Sequence, residues 1–289
     1  MKKIIYSFYR TISQRYFKSR LAGAPIVHSG LKAVARVTIN PILRLYTRLI
    51  TQRKGLRFPE GSKHQLEMAL GEYEPEVVTI CRQKLQPGMI VIDAGAYAGY
   101  YTRLFSELVG PKGKVYAFEP QPKNIAVLQH NIERSRYPEN IVLVQKAVSN
   151  QVGQLQIYQH RNDTAKTSLY SAINLESPMM ITSTTLDAFL VEQSFAKIDL
   201  IKLDIEGAEL AALDGMQNLI TLSKNLILIV ECSPQILARI GSAPTALINK
   251  INNLGFTVSA IGPRGELINP ETALAQAGND DINLLCEKK

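Results

Sequence analysis

The stretch from Met89 to Pro120 constrains the fold of this chain more than any other. A short apolar run, Met89 to Ile92, ends in Asp93 and a turn of small residues, Gly95-Ala96-Tyr97-Ala98-Gly99. A helical pattern follows, with Tyr100, Tyr101, Leu104, Phe105 and Leu108 on one stripe that suits packing on a sheet, and Gly110-Pro111-Lys112-Gly113 stops it. A second apolar run, Val115 to Phe118, is tipped by Glu119 and Pro120. Strand, glycine-rich turn, helix and acid-tipped strand form one nucleotide-binding half of a doubly wound α/β sheet.

The charges narrow the ligand. Dinucleotide sites use G-x-G-x-x-G, where bare amides and a helix N-terminus hold a pyrophosphate. Here the spacing is Asp93-x-Gly95-x-x-x-Gly99, with a carboxylate at the mouth of the turn. That carboxylate repels a diphosphate at close range and favours a cationic ligand without phosphate. S-adenosylmethionine fits, because it carries a sulfonium and an ammonium, and Glu119 would then accept from its ribose hydroxyls. A nicotinamide site or a purely structural βαβ unit are the competing readings of this stretch.

The rest of the chain extends the same architecture. Gln65 to Leu85 reads as helical and leads through the turn Gln86-Pro87-Gly88 into the first strand, and Asn124 to Glu133 reads as another helix. Further strands are expected at Ile141–Val144, Ile198–Leu203, Leu226–Val230, Thr257–Ile261 and Ile282–Cys286. Strands alternate with helices until two come in close succession, which predicts a mostly parallel sheet with an antiparallel edge strand. Val152 to Tyr158 alternates apolar and polar residues and reads as an added antiparallel strand or hairpin. Residues 159–181, polar and rich in Ser and Thr, read as an irregular loop near the ligand.

Charge divides the chain at about residue 58. The net charge is +8, yet residues 1–59 hold 13 Lys and Arg and no acid, so the remainder carries 20 basic and 25 acidic side chains. Residues 1–58 are therefore read as a basic helical N-terminal arm and 59–289 as the catalytic domain. In the arm, Ile4, Ile5, Phe8, Tyr9 and Ile12 recur at helical spacing, as do Ile42, Leu43, Leu45, Tyr46, Leu49 and Ile50 behind Pro41. A basic amphipathic arm suits an anionic membrane surface through residues 1–57, a second subunit in a homo-oligomer, an organelle transit peptide or, less well, a nucleic-acid backbone. Three separated cysteines, no long apolar run and no secretory leader pattern point to a reducing, cytoplasmic setting, peripheral to a membrane if the arm binds one.

In open α/β sheets the ligand sits outside the carboxyl ends of the strands. Those ends carry Asp93, Glu119, Asp204 with Glu206, and Glu231. Carboxylates crowded at one rim raise the cost of ionising each other, and a bound cation relieves it. Ile201-Lys202-Leu203-Asp204-Ile205-Glu206-Gly207-Ala208-Glu209 is the most polar strand end, although Glu206 or Glu209 could serve only to cap a helix. Asp204 and Glu206 are the first candidates for a general base. Lys202 is weaker, because neighbouring acids raise its pKa, and His160 in the following loop weaker still. A magnesium ion between Asp204 and Glu231 is a lesser alternative.

Four motifs in order, D-A-G-A-Y-A-G-Y-Y-T, F-E-P, T-T-L-D (Thr184 to Asp187) and I-K-L-D-I-E-G-A-E, make the chain resemble the FkbM-type family of S-adenosylmethionine-dependent methyltransferases from about Gln65 to the C-terminus. The resemblance implies a Rossmann-like seven-stranded methyltransferase sheet and methyl transfer from S-adenosylmethionine to a hydroxyl of a sugar, glycolipid or natural product. It implies that Asp93, Gly95, Ala96, Tyr97, Gly99, Glu119 and Pro120 hold the donor. Asp204, Glu206 and Glu209 match the family's acidic motif near the reacting atoms, and no metal ligands are implied. Tyr97 departs from the Asn common in the family, and the arm lies outside the family's core. RNA as acceptor, a membrane-surface protein without catalysis and a nicotinamide-dependent dehydrogenase are the alternatives. The sequence has no N-P-P-Y-like or P-C motif for the first and no Y-x-x-x-K pair for the last.

Overall fold

The computed structural model describes residues 40–60, 62, 64–160, 163–168, 178–194 and 197–289. The helical periodicity of Ile4 to Ile12 lies outside them. The chain forms two compact units, Met1–Leu49 and Ile50–Lys289. The helix Asn40–Lys54 has Pro41 in its first turn, where a missing N–H breaks no helical bond, and it ends on Arg53 and Lys54. Leu45 and Leu49 on it are exposed.

The second unit is built on strands β1 (Ile90–Ala94), β2 (Lys114–Phe118), β3 (Ile141–Val144), β4 (Ala147–Val148), β5 (Gly153–His160), β6 (Asp163–Ser168), β7 (Met179–Thr184), β8 (Leu200–Leu203), β9 (Ile227–Cys232), β10 (Phe256–Ile261), β11 (Leu267–Ile268) and β12 (Ile282–Lys288). Eight of them form one sheet in the order β11-β10-β12-β9-β8-β1-β2-β3, with β9, β8, β1, β2 and β3 parallel. The expected seven strands are present, and the eighth is the two-residue β11 on the outer edge. Val91 and Ile92, Leu200 and Ile201, and Leu228 and Ile229 are all buried, so both faces of the sheet are covered. That is why these strands read as unbroken apolar runs.

Strand order reverses between β1 and β8, which pair in register Asp93 with Lys202 and Ala94 with Leu203. This switch point opens the crevice where an α/β sheet takes its ligand.

An antiparallel strand does lie on the edge, the two-residue β11 beside β10, but the last long strand does not. β12 runs between β9 and β10, antiparallel to both. Leu284, Leu285 and Cys286 are buried on its two faces, a pattern that only an interior strand satisfies. Gln65 to Leu85 is also two helices, Gln65–Leu70 and Pro75–Lys84. Gly71, with φ of 80°, ends the first, and Pro75 opens the second.

A second, smaller sheet has the order β4-β7-β5-β6. β5 fulfils the expected extra strand, but the predicted loop over 159–181 contains the end of β5, all of β6 and the start of β7. Thr164, Thr167 and Ser168 belong to β6, whose polar sequence hides its strand because β6 pairs only with β5, at the sheet's edge. Ser171 and the rest of 169–177 lie outside the described residues.

Candidate active site

The turn after β1 and the loop after β8 interlock. Ala94 O accepts from Asp204 N at 3.1 Å, and Gly95 N and Ala96 N donate to Phe118 O at 3.0 and 2.9 Å. A Cβ on Gly95, at φ +89°, would lie 1.8 Å from the Asp204 carbonyl oxygen. Only glycine permits that approach. Tyr97 stands at φ 48°, a left-handed conformation that Asn tolerates better than Tyr. Its N–H donates to Glu119 Oε2 at 3.0 Å.

Glu119 Oε1 accepts from Gln121 N at 2.8 Å and Asn124 Nδ2 at 3.3 Å. These bonds and Tyr97 use three of a carboxylate's roughly four acceptor sites, leaving about one for a ligand hydroxyl. Burial pushes Glu119 up to about 7, against the pull of those donors. Gln121, beside it in the cleft, has a buried Oε1 with no hydrogen-bond partner among the described residues.

The acids of the rim fold around one buried cation. Lys202 is 1% exposed, with Nζ 2.6 Å from Asp204 Oδ2 and 4.4 Å from the centre of the Tyr101 ring. Burial alone would draw its pKa down, but Asp204, Glu74 and Asp93 more than offset this and hold it above the ordinary lysine value. Asp93 Oδ2 accepts from the Thr102 hydroxyl at 2.5 Å. Burial raises Asp93 to about 6, with Lys202 and Thr102 opposing.

Glu206 and Gly207 follow β8 in consecutive left-handed conformations, φ 54° and 101°. Such strain, of order 1–3 kcal/mol for a non-glycine residue, persists only where the surroundings impose it. Glu209 imposes it here. Its buried Oε1 accepts from Ile205 N at 3.1 Å and Gly207 N at 3.3 Å, and burial raises its pKa to about 7. Glu209 thus ties the loop that precedes its helix, and it does not line the cleft.

Asp93, Gly95, Ala96, Tyr97, Glu119, Pro120, Asp204 and Glu206 all line one cleft of about 1390 Å³ counted to its open mouth, while Gly99 does not. Gly99 starts the helix Tyr100–Val109 at φ 82°, and a Cβ there would lie 2.7 Å from Leu128 Cδ1. Tyr100 and Tyr101, expected in the core, line the cleft while Tyr101 is also buried in the core.

Glu231, Asp281 and Tyr73 are among the polar residues of the cleft that the sequence motifs do not mark. Glu231 lies near the end of β9, and burial, then Asp204, Glu206 and Asp281, raise its pKa well above the carboxylate range. Asp281 precedes β12, whose first residue pairs with Cys232 at the end of β9. An antiparallel strand starts at the rim where its parallel neighbours stop, and that topology was the signal for Asp281. Tyr73 comes from the connection between the helices Gln65–Leu70 and Pro75–Lys84, and its ring packs edge-on to Tyr100. The opposite wall is apolar: Phe118, Val148, Leu155, Ile157 and Ile181, the last four from the smaller sheet and its first strand. Among the described residues, no group of three or more His, Cys, Asp or Glu side chains is placed to hold a metal ion. No helix among them is long and apolar enough to cross a membrane.

Residues 93–258 match the Methyltransferase FkbM domain. A protein-L-isoaspartate O-methyltransferase of Methanothrix thermoacetophila is 42% identical over 53 residues, 18% of this chain and 25% of its own length. That match spans only a quarter of the relative. The 2-O-methyltransferase NoeI of Sinorhizobium fredii is 25% identical over 212 residues, 67% of this chain and 79% of its own. The 31-O-demethyl-FK506 methyltransferase FkbM of Streptomyces tacrolimicus is 28% identical over 164 residues, 47% of this chain and 62% of its own. The domain match runs from Asp93 at the tip of β1 through the acidic loop after β8 and into β10, taking in most of the cleft but not Tyr73 or Asp281, and the chain belongs to the FkbM methyltransferase family.

Proposed function

We propose that the protein transfers a methyl group from S-adenosylmethionine to a hydroxyl of a sugar, glycolipid or natural-product acceptor. The observation that carries this reading is the charge of the cleft. Its carboxylates come from five places in the chain, while Lys202 is bonded to Asp204 and Lys146 to Glu192. A diphosphate would meet repulsion there, and a sulfonium with an ammonium would not.

The residues fit this donor. The buried Gln121 Oε1 without a partner, beside the apolar wall, suits the amino group of a purine. Glu119 has acceptor capacity for one ribose hydroxyl, and Asp93 and Asp204 face the cationic end. When bound, the donor supplies an electrophilic methyl group on a good leaving group. The protein's task is then to align acceptor oxygen, methyl carbon and sulfur and to remove a proton. Glu231, which lines the cleft together with Asp204, Glu206 and Asp281, is assigned the role of base. Asp204, fixed through Oδ2 by Lys202, and Glu206 accept hydrogen bonds from the acceptor's other hydroxyls. Glu209 keeps the loop in place. Relatives named for 2-O-methylation and for a 31-O-demethyl natural product support oxygen as the methylated atom.

Calorimetric titration with S-adenosylhomocysteine tests the donor site. Binding is expected in the micromolar range, about −8 kcal/mol, and Asp93→Ala or Glu119→Ala weakens it. No heat of binding in the wild-type chain would end the proposal. Mass spectrometry of cell extract incubated with isotopically labelled donor identifies the acceptor.

A further inference from the structure

A second groove is built from the strap Lys54–Phe58, the helices Pro75–Lys84 and Tyr100–Val109, and Asn131. The strap is fixed in place. Asn131 Oδ1 accepts from Arg57 N at 2.9 Å, and its Nδ2 donates to Arg57 O and Ala98 O, each at 2.8 Å. Lys54, Arg82 and Arg103 line the groove against a single acid, Glu107, for a side-chain charge of +2. Leu56, Phe58, Val78 and Leu104 give it apolar walls.

Arg103 shows what the groove lacks. Its Nε is fully buried and has no hydrogen-bond partner among the described residues. A buried donor left unmatched costs about 1–3 kcal/mol, and more when it is charged. Folds rarely retain such a group unless a ligand or water completes it.

We propose that this groove binds a phosphate monoester whose organic part is apolar, with Arg103 Nε donating to a phosphate oxygen. A guanidinium suits a phosphate by geometry, and the two guanidinium groups of Arg82 and Arg103 suit the −1.5 to −2 of a monoester better than the single charge of a carboxylate. The apolar walls flank that anion site, so an alkyl group next to the phosphate finds cover. Met68, Ala98 and Tyr100 line both this groove and the acid-rimmed cleft, but the proposal does not depend on the methyl-transfer reading.

The test is calorimetric titration of the full chain with hexyl phosphate, inorganic phosphate and hexanol. Hexyl phosphate binds and hexanol does not. Inorganic phosphate binds more weakly than hexyl phosphate; equal affinity would overturn the apolar part of the proposal. Arg103→Gln weakens hexyl phosphate at least about tenfold, the scale of one charge-assisted hydrogen bond. Arg82→Gln, at an exposed position, weakens it without endangering the fold. The melting temperature of each variant separates lost binding from lost structure. Absence of binding by both phosphates, or affinity unchanged in both folded variants, overturns the proposal.

Discussion

Replacing Gly95 by Ala tests whether the two halves of the site interlock as described. Two costs add at this position. The first is backbone strain, since φ of +89° forces an L-residue into a conformation costing about 1–2 kcal/mol. The second is the clash of the new Cβ with the Asp204 carbonyl oxygen at 1.8 Å, which only displacement of the loop after β8 can relieve. Over-packing of that kind typically costs about 1–3 kcal/mol. Gly88 provides the control, because it has the same φ of +89° and nothing within 4 Å of its added Cβ. Gly88→Ala carries the strain alone, and Gly95→Ala carries strain and clash together. At roughly 2–4 °C per kcal/mol for a unit of this size, Gly95→Ala melts about 2–12 °C below Gly88→Ala. Differential scanning calorimetry measures the gap. Titration with S-adenosylhomocysteine adds a second readout, with affinity kept in Gly88→Ala and lost in Gly95→Ala. If the two variants melt within about 1 °C of each other, the close approach of β1 and β8 is wrong.

Three further outcomes follow from the carboxylates and their cation. Burial holds Glu209 at about 7 in the folded state, above the ordinary glutamate value of 4.5, so the folded state loses stability as pH rises through that window and regains it below. Glu209→Gln keeps the bonded oxygen without the charge, so it matches the wild type below about pH 4.5 and exceeds its stability above pH 7, by roughly 3 kcal/mol at most; equal stability at pH 8 contradicts this. Glu231→Gln lowers kcat by about 10²–10⁴ and removes the acid limb of the pH–rate profile while S-adenosylhomocysteine still binds. A limb that survives the substitution takes Glu231 out of proton transfer. Lys202→Met strands Asp93, Asp204 and Glu74 around a missing charge and costs about 3–5 kcal/mol at pH 8, read as a fall in melting temperature that partly recovers at pH 5; no fall would mean the lysine is not their counterion.

The parallel strands were legible because burial on both faces leaves no polar residue to interrupt an apolar run, as in Met89 to Ile92. Gly95 was legible as a turn, but the reason it must be glycine lies in Asp204, more than a hundred residues away. Where the structure departed from expectation, the controlling partner was also remote. β12 became an interior strand because β9 and β10 cover both its sides, and β6 forms against β5 without an apolar stripe of its own. The break at Gly71 and Pro75 was readable in the sequence itself, since a left-handed glycine stop followed four residues later by a proline start marks two helices. Asp281 and Tyr73 carry no motif, and topology alone brings them to the cleft. Glu209 stands in the acidic motif, yet sequence cannot distinguish a carboxylate facing a ligand from one accepting backbone N–H groups.

Lys202 connects the stability of this fold to its chemistry. A cleft that draws in a cation must keep several carboxylates near one another while it is empty, and their mutual repulsion opposes folding. An internal ammonium relieves that repulsion. Placed on β8 beside Asp93 in register, it bonds Asp204 directly and lies over Tyr101, whose hydroxyl donates to Glu74 at 2.6 Å. The lysine is sealed from solvent, so it cannot turn outward to hold a phosphate, and the acids it does not bond directly keep their attraction for a ligand cation. Burial, then Asp204, Glu206 and Asp281, raise the proton affinity of Glu231, and Lys202 only partly lowers it. One buried charge thus divides the rim, with Asp204 bonded to it and Glu231 not.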